Sequence, residues 1–363
     1  MRRVRQVVRQ GPAKPLPAVR FRHAPPGDRQ TGADTRSEVK NQSGFRGAWL
    51  VRYLGPAIVA LLFLQSVATK AQKSVAPDAK RHTPIRALLI VAHPDDEYET
   101  AGTIYRIAQE LSGVVEQVII TDGEAGFRYS SLASRYYGVN LTDEKTGRAN
   151  LPRIREEEAR RAARILGISH QWFLNERDDQ YTLSADEALK SWRTQRVLAE
   201  LAERLRKGRY NVVFVLLPTK GSHGGHKAAT ILALQAIQQL PADQRPIVIG
   251  AEAAPMRSLS YTALPSYPIT ATFSPAPQFH FDRDVRFGFH DSLSYEIIVD
   301  WVIAEHKSQG LFQTKCGQDR YENFWVFALS GNAALSRAES FFETISDQPQ
   351  TVGQTASALG TKP

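Results

Sequence analysis

From residue 86 onward the chain alternates short apolar runs with longer stretches whose apolar residues recur at helical spacing. Residues 87–92 (ALLIVA), 115–121, 171–174, 211–217 (NVVFVLL) and 246–251 read as strands, and 97–111, 153–166, 185–207 and about 226–240 as helices. The strand-like runs are apolar at nearly every position, not at every second one. Such strands are buried on both faces, and alternating them with helices builds a parallel sheet covered on both sides. The expected fold class is therefore α/β: a Rossmann-like, doubly wound, mostly parallel sheet with helices on both faces. After residue 254 the pattern loosens into a C-terminal irregular or β extension. In it, 261–289 is rich in Pro, Tyr and Phe, and 292–308 is apolar at helical spacing. Residues 127–152 read as a long loop, of the kind that usually carries function. There is no internal repeat.

Composition changes this picture in one place. The 363 residues are 42% hydrophobic and 23% charged, a globular balance. The net charge of +9 is confined to residues 1–52, with 12 Lys and Arg against 3 Asp and Glu; the rest of the chain carries 34 of each sign. The body thus offers no basic face for nucleic acid. A single cysteine, Cys316, excludes an intramolecular disulfide framework and a Cys-rich zinc module.

Residues 1–48 are expected to be a disordered basic segment. Residues 49–71 hold a 16-residue apolar run, 53–68, after basic residues and before a small-x-small step at Ser66-Val67-Ala68. That is the anatomy of a secretory signal peptide, and the run is short for a spanning helix, which needs about 20 residues. The expectation is an exported body, periplasmic or secreted; the alternative is an uncleaved membrane anchor. Met1 is the only Met before Met256, so a start near Leu50 or Val51 on a non-Met codon would account for the long leader. The folded domain is expected over 84–345, with a flexible tail over 346–363.

Two constellations carry chemistry. The first strand runs directly into His93-Pro94-Asp95-Asp96-Glu97, and the strand at 211–217 into Pro218-Thr219-Lys220-Gly221-Ser222-His223-Gly224-Gly225-His226. Both lie at the carboxyl ends of parallel strands, where open α/β sheets place ligands. A helix cap would explain one of the two aspartates but not a His and a second Asp beside it. Two histidines in a Gly-rich turn are weak evidence alone, and a surface turn explains them equally well. Taken with His93 and Asp96, they complete a two-His, one-carboxylate site with an open position, the ligand set of a catalytic metal.

These residues resemble the AHPDDE signature of the PIG-L/LmbE-like family of zinc-dependent N-acetylglucosamine-type deacetylases. The likeness extends to Thr121-Asp122-Gly123-Glu124, to Arg155-x-x-Glu158 followed by Ala162, Leu166 and Gly167, to His223-x-x-His226, and to His306-x-Ser308-Gln309, covering about 86–309. One departure stands out. The family's Pro-Asp between the two histidines is here Gly224-Gly225, which implies a looser loop and a missing carboxylate behind the ligands.

The resemblance implies that His93, Asp96 and His226 ligate Zn2+, with another divalent metal such as Fe2+ as the alternative. It implies that Asp95 is the general base and His223 a polarising or acid group near the reacting carbonyl. The implied reaction is hydrolysis of N-acetyl groups, on an N-acetylglucosamine-type sugar or glycoconjugate. A metal amidohydrolase of non-sugar N-acyl compounds, or an inactive binding module on the same fold, are the alternatives. The partners are then a small-molecule or glycoconjugate substrate, with no nucleic acid, and with a membrane only through the N-terminal apolar segment. A dinucleotide is disfavoured because HPDDE stands where a G-x-G-x-x-G turn would be needed, and its acids would repel a pyrophosphate. Arg128, Tyr129, Arg135, Tyr136 and Tyr137, with Asp178 and Asp179, are candidates for substrate contact. His306 is expected either to line the site or to cap a helix, and Cys316 to be structural.

Overall fold

In the run ALLIVA every residue is buried, and alternate side chains serve opposite sides of the sheet. Ala87, Leu89 and Val91 enter one core; Leu88, Ile90 and Ala92 enter another. This run is β1 (Arg86–Val91) of a computed structural model that describes residues 84–178 and 181–346. The chain divides into two compact units, Met1–Ala79 and Lys80–Pro363, and every described residue belongs to the second. The expectations for the leader, for the tail beyond 346 and for Asp179 fall outside the described residues. Among the described residues no helix is long and apolar enough to cross a membrane.

Further strands are β2 (Val114–Thr121), β3 (His170–Glu176), β4 (Val212–Leu216), β5 (Ile247–Ala254), β6 (Phe279–Asp282) and β9 (Tyr321–Val326), in the order β3-β2-β1-β4-β5-β9-β6. The pairs from β3 through β5 are parallel, whereas β9 is antiparallel to both β5 and β6. The expected mostly parallel, doubly wound sheet is present. The extension after residue 254 adds its last two strands, and also a small hairpin of β7 (Arg286–Phe287) and β8 (Leu293–Ser294).

The helices are α1 (Ala101–Tyr105), α2 (Ser131–Tyr137), α3 (Glu144–Leu166), α4 (Ala185–Ser191), α5 (Thr194–Gly208), α6 (Gly224–Gln238), α7 (Tyr295–Glu305) and α8 (Ala333–Ser346). One core packs α1, α3, α7 and α8 against the sheet; the other packs α5 and α6.

Three expectations are corrected. The helix over 97–111 is a tight 3-10 turn (Asp96–Thr100), then α1, then a wide π turn (Arg106–Glu110). The helix over 185–207 is two helices: the Trp192 indole donates to the Arg177 carbonyl (3.0 Å) and the Arg193 N–H to buried Glu176 (2.8 Å), which turns the chain inward between α4 and α5. The loop over 127–152 is mostly helical. Asp143 caps α3 by accepting from the Thr146 N–H (2.9 Å), and Pro152 sits inside that helix.

Candidate active site

Strands β1 and β4 are hydrogen-bonded neighbours, and the chain leaves them toward opposite edges of the sheet. That is the switch point at which a doubly wound sheet opens a crevice beyond its carboxyl ends. The turn 93–97 follows β1 and the turn 218–226 follows β4. Neighbouring strands therefore bring two stretches, more than a hundred residues apart, to one rim.

Three donor atoms converge there. His226 Nε2 lies 3.0 Å from His93 Nδ1 and 3.1 Å from Asp96 Oδ1, and His93 Nδ1 lies 3.5 Å from Asp96 Oδ2. Asp96 Oδ2 also accepts from the backbone N–H groups of Ala92 (3.0 Å) and His93 (2.8 Å), which fixes the carboxylate against its own turn. Ligands held tetrahedrally at zinc–nitrogen and zinc–oxygen bond lengths are about 3.4 Å apart. The spacing, the hard-soft character and the open side of this trio fit a divalent metal. His93, His223 and His226 also offer one nitrogen each within 4.8 Å of one another. The trio that includes Asp96 is the tighter one.

The electrostatics ask for a cation at the same point. Burial pulls the His93 pKa down, but Asp178 and Asp96 outweigh it and the value rises to about 10. Burial likewise works against the Asp96 carboxylate, yet His226 and His93 hold its pKa well below the ordinary value. His93 is flanked on both ring nitrogens, since Asp178 Oδ1 lies 3.6 Å from Nε2. A carboxylate behind a ligating imidazole fixes its orientation and raises its basicity. Asp178 thus backs the His93 ring on the side away from Asp96.

Asp95 sits beside this trio and lines the same cavity. Its backbone is at φ 153°, a region that residues with a side chain rarely adopt. Buried Arg155, on α3, holds it there: Nη2 lies 3.0 Å from Asp95 Oδ1 and donates to the Pro94 carbonyl at 2.9 Å. Burial raises the Asp95 pKa; Arg155 opposes this and Asp96 adds to it, and the net direction is upward. Arg155 Nη1 donates to the Gly123 carbonyl (2.9 Å), and a Cβ on Gly123, at φ 68°, would stand 2.4 Å from that nitrogen. This explains the glycine of the Thr121–Glu124 segment. One helical turn on, Glu158 accepts from the Ser308 N–H (2.8 Å), the Ser308 hydroxyl (2.6 Å) and the Tyr137 hydroxyl (2.8 Å). The Arg-x-x-Glu spacing therefore fastens the Pro94–Asp95 turn with one residue and the late His-x-Ser-Gln segment with the other.

His223 is the N-cap of α6, and its Nδ1 accepts from the Gly225 N–H (3.3 Å). Burial and the neighbouring charges of His93 and His226 push its pKa down to about 4. The ring is thus neutral near pH 7, not protonated, and its remaining N–H lies on Nε2. Nor are the two glycines loose. They form the first turn of α6, where a Cβ on Gly224 would meet the Ser184 carbonyl at 2.4 Å and one on Gly225 would meet the His93 ring at 3.2 Å. The Gly224 N–H donates to the Thr182 carbonyl (2.6 Å), and the Tyr181 ring lies against His223 (5.1 Å between centroids). The glycines are what lets this segment and His93 close on the turn.

The cavity has a volume of about 290 Å3. All five expected site residues, His93, Asp95, Asp96, His223 and His226, line it, together with Asp178, Arg128 and Tyr129. Tyr137 is turned to Glu158, and Arg135 and Tyr136 are exposed and do not line it. Of the two alternatives for His306 the second holds: it is the C-cap of α7, its N–H donating to the Ile303 carbonyl (3.1 Å). Its ring is wholly buried, and its Nε2 pairs with Glu97 Oε1 at 2.6 Å. Cys316 is exposed, and its thiol pKa is raised, first by burial and then by Asp300.

The structure adds lining residues that the sequence did not single out: Glu99, Phe127, Tyr181, Phe312 and Lys315. Burial is the main cause that lifts the Glu99 carboxyl to about 8, although it accepts from the Ala253 N–H at 2.5 Å. The Arg155-x-x-Glu158 spacing, already part of the resemblance, puts both residues on one helix face but gave no sign that Arg155 would hold Asp95. Phe312 and Lys315 had no such signal.

Comparison with known proteins gives the class. The family model described as PIG-L: GlcNAc-PI de-N-acetylase matches residues 88–237, the stretch that holds both the 93–97 and the 223–226 turns. Among solved structures, the N,N'-diacetylchitobiose deacetylase of Pyrococcus horikoshii is similar at 19% identity over 74% of this chain and 93% of its own, with a TM-score of 0.43. The A40926 pseudoaglycone deacetylase is similar at 16% identity, over 67% of this chain and 97% of its own, with a TM-score of 0.41. The 4-carboxy-2-hydroxymuconate hydratase of Pseudomonas putida KT2440 is similar at 15%, over 67% and 95%, with a TM-score of 0.43. No curated protein sequence matches the chain.

Proposed function

We propose that the protein is a metal-dependent hydrolase that removes N-acetyl groups from an N-acetylglucosamine-type sugar or glycoconjugate. The observation that carries this reading is that His93 Nδ1 (3.0 Å) and Asp96 Oδ1 (3.1 Å) both converge on His226 Nε2 at the cavity wall, with Asp95 beside them. The match of residues 88–237 to a family model named for a de-N-acetylase supports the same chemistry.

In this reading His93, Asp96 and His226 hold zinc, or another divalent ion such as Fe2+. Such an ion supplies Lewis acidity, bringing the pKa of water down toward about 7 and polarising an acyl carbonyl. Asp95 takes the proton of the attacking water. Its raised affinity for a proton, set by burial against the pull of Arg155, suits a group that must accept one and then give it up. His223 faces the developing oxyanion as a neutral N–H donor, the capping bond from Gly225 holding its tautomer. The departing amine receives the proton that Asp95 has taken. Arg155 keeps the Asp95 carboxylate aimed without entering the chemistry.

The test is acetate release from N-acetylglucosamine-containing substrates, with and without chelator, with metal content measured alongside. Chelator-sensitive release supports the reading. Undiminished release from fully metal-free protein overturns it.

A further inference from the structure

We infer that Lys227 is a positioning residue: its ammonium clamps the turn that carries His223 to the segment that carries Tyr181, and so holds the His223 N–H where the oxyanion forms. This rests on the role proposed for His223 and deepens it.

Lys227 is a buried charge that the chemistry itself does not use. It is 5% exposed, at the N-terminal end of α6, among helix neighbours that are nearly all buried. Its Nζ donates to the Leu183 carbonyl (2.7 Å) and to the Lys220 carbonyl (2.8 Å), and among the described residues no carboxylate pairs with it. A buried ammonium without a counter-charge is costly, and the positive end of a helix adds to the cost. A methionine would fill the same space with neither penalty. Stability therefore gives no reason for a lysine here, whereas the two carbonyls do. The Lys220 carbonyl belongs to the turn between β4 and α6, three residues before His223. Leu183 lies two residues beyond Tyr181, whose ring packs against His223 and lines the cavity. Two carbonyl oxygens that converge on one nitrogen repel each other once that nitrogen is gone, and the turn must then relax about His223. The candidate metal ligands are held by other means, Asp96 by the N–H groups of its own turn and His226 by α6. Loss of Lys227 thus reaches the oxyanion donor and spares the metal.

Lys227→Met should keep its metal and unfold at an unchanged or higher denaturant midpoint. Its kcat for acetate release should fall on the order of 10- to 100-fold, the cost of misplacing a catalytic group by about 1 Å, with little change in KM. In a His223→Ala background the same substitution should lower kcat no further, because the group it positions is gone. Lys227→Ala leaves the room of the missing side chain and should regain kcat on addition of propylammonium. Unchanged kcat in Lys227→Met, an undiminished further loss in the His223→Ala background, or loss of metal overturns the inference. So does a lowered unfolding midpoint, which would make Lys227 a residue of the fold alone. Imidazole 15N NMR of the zinc-loaded protein reads the clamp without turnover. His223 should be fixed as the Nε2–H tautomer in the wild type and averaged between tautomers in Lys227→Met. That pattern in a wild type that releases no acetate supports the clamp and strikes the deacetylase reading instead. Identical His223 signals in the two proteins overturn the clamp whatever the activity.

Discussion

Arg155 Nη2 stands 3.0 Å from Asp95 Oδ1 and, through the Pro94 carbonyl, holds the backbone of the same turn. The two residues are far apart in sequence, and the bond joins the middle of α3 to the end of β1. It ties the candidate base to the largest helix of its core and keeps Asp95 in a backbone conformation it would not adopt alone. Arg155→Lys keeps a charge but loses the planar fork that makes both bonds. The variant should retain metal and lose about 10²-fold in kcat, read by acetate release against metal content. Normal kcat in the lysine variant would show that Asp95 needs no such support.

Asp95→Asn should leave metal stoichiometry unchanged and lower kcat by about 10²–10⁴-fold, the range for loss of a positioned base. A variant that turns over at the wild-type rate would remove Asp95 from the chemistry.

His93→Ala, Asp96→Ala and His226→Ala should each lose bound metal, measured by elemental analysis after dialysis, together with activity. His223→Ala should keep its metal and lose about 3–4 kcal/mol of barrier stabilisation, as for removal of one oxyanion donor. Metal loss on that substitution would mean that the three-histidine set is the true ligand set.

Gly123→Ala should be destabilising, because the added methyl would meet the Arg155 guanidinium at a glycine with positive φ. The expected loss is about 2–3 kcal/mol in denaturant unfolding, with a fall in kcat as Arg155 is displaced. An unchanged unfolding midpoint would contradict the packing described.

The buried His306–Glu97 pair gives a pH signature. Burial lowers the His306 pKa, but Glu97 more than offsets this and the folded value lies above that of an unfolded histidine. Its contribution is therefore complete below about pH 6.5 and is lost as pH rises through the folded pKa. The Tm difference between wild type and His306→Gln should shrink from pH 6 toward alkaline pH. A difference that grows with pH would show the pair to be held with His306 neutral.

Much of this site was legible in the sequence because its chemistry is local. Residues 93–97 are five in a row, and 223–226 span one turn, so strand-end placement alone brings them to the same rim. What escaped the sequence depends on partners far along the chain. Residues 127–152 read as a loop, yet α3 begins within them at its Asp143 cap and is held down by buried Leu151, Ile154 and Arg155. The helix over 185–207 broke because Trp192 and Arg193 find partners at the end of β3. The Gly-Gly turn suggested looseness, since the Ser184 carbonyl and the His93 ring that fill the space beside it cannot be read from the turn itself.

The strands added after residue 254 also reach the helix that opens the site. Glu322, on β9, accepts from the N–H groups of Gly102 (2.7 Å) and Thr103 (3.0 Å), and its partner Arg283 donates to the Tyr98 carbonyl. Both side chains are completely buried. A fragment ending at residue 237 would keep the 93–97 and 223–226 turns, yet it would strip two amide groups of their acceptor and bare the flank of β4. The recognisable portion of this polypeptide is consequently not an independent folding unit, and grafting it elsewhere would transfer the two histidine-bearing turns without the brace behind the first of them.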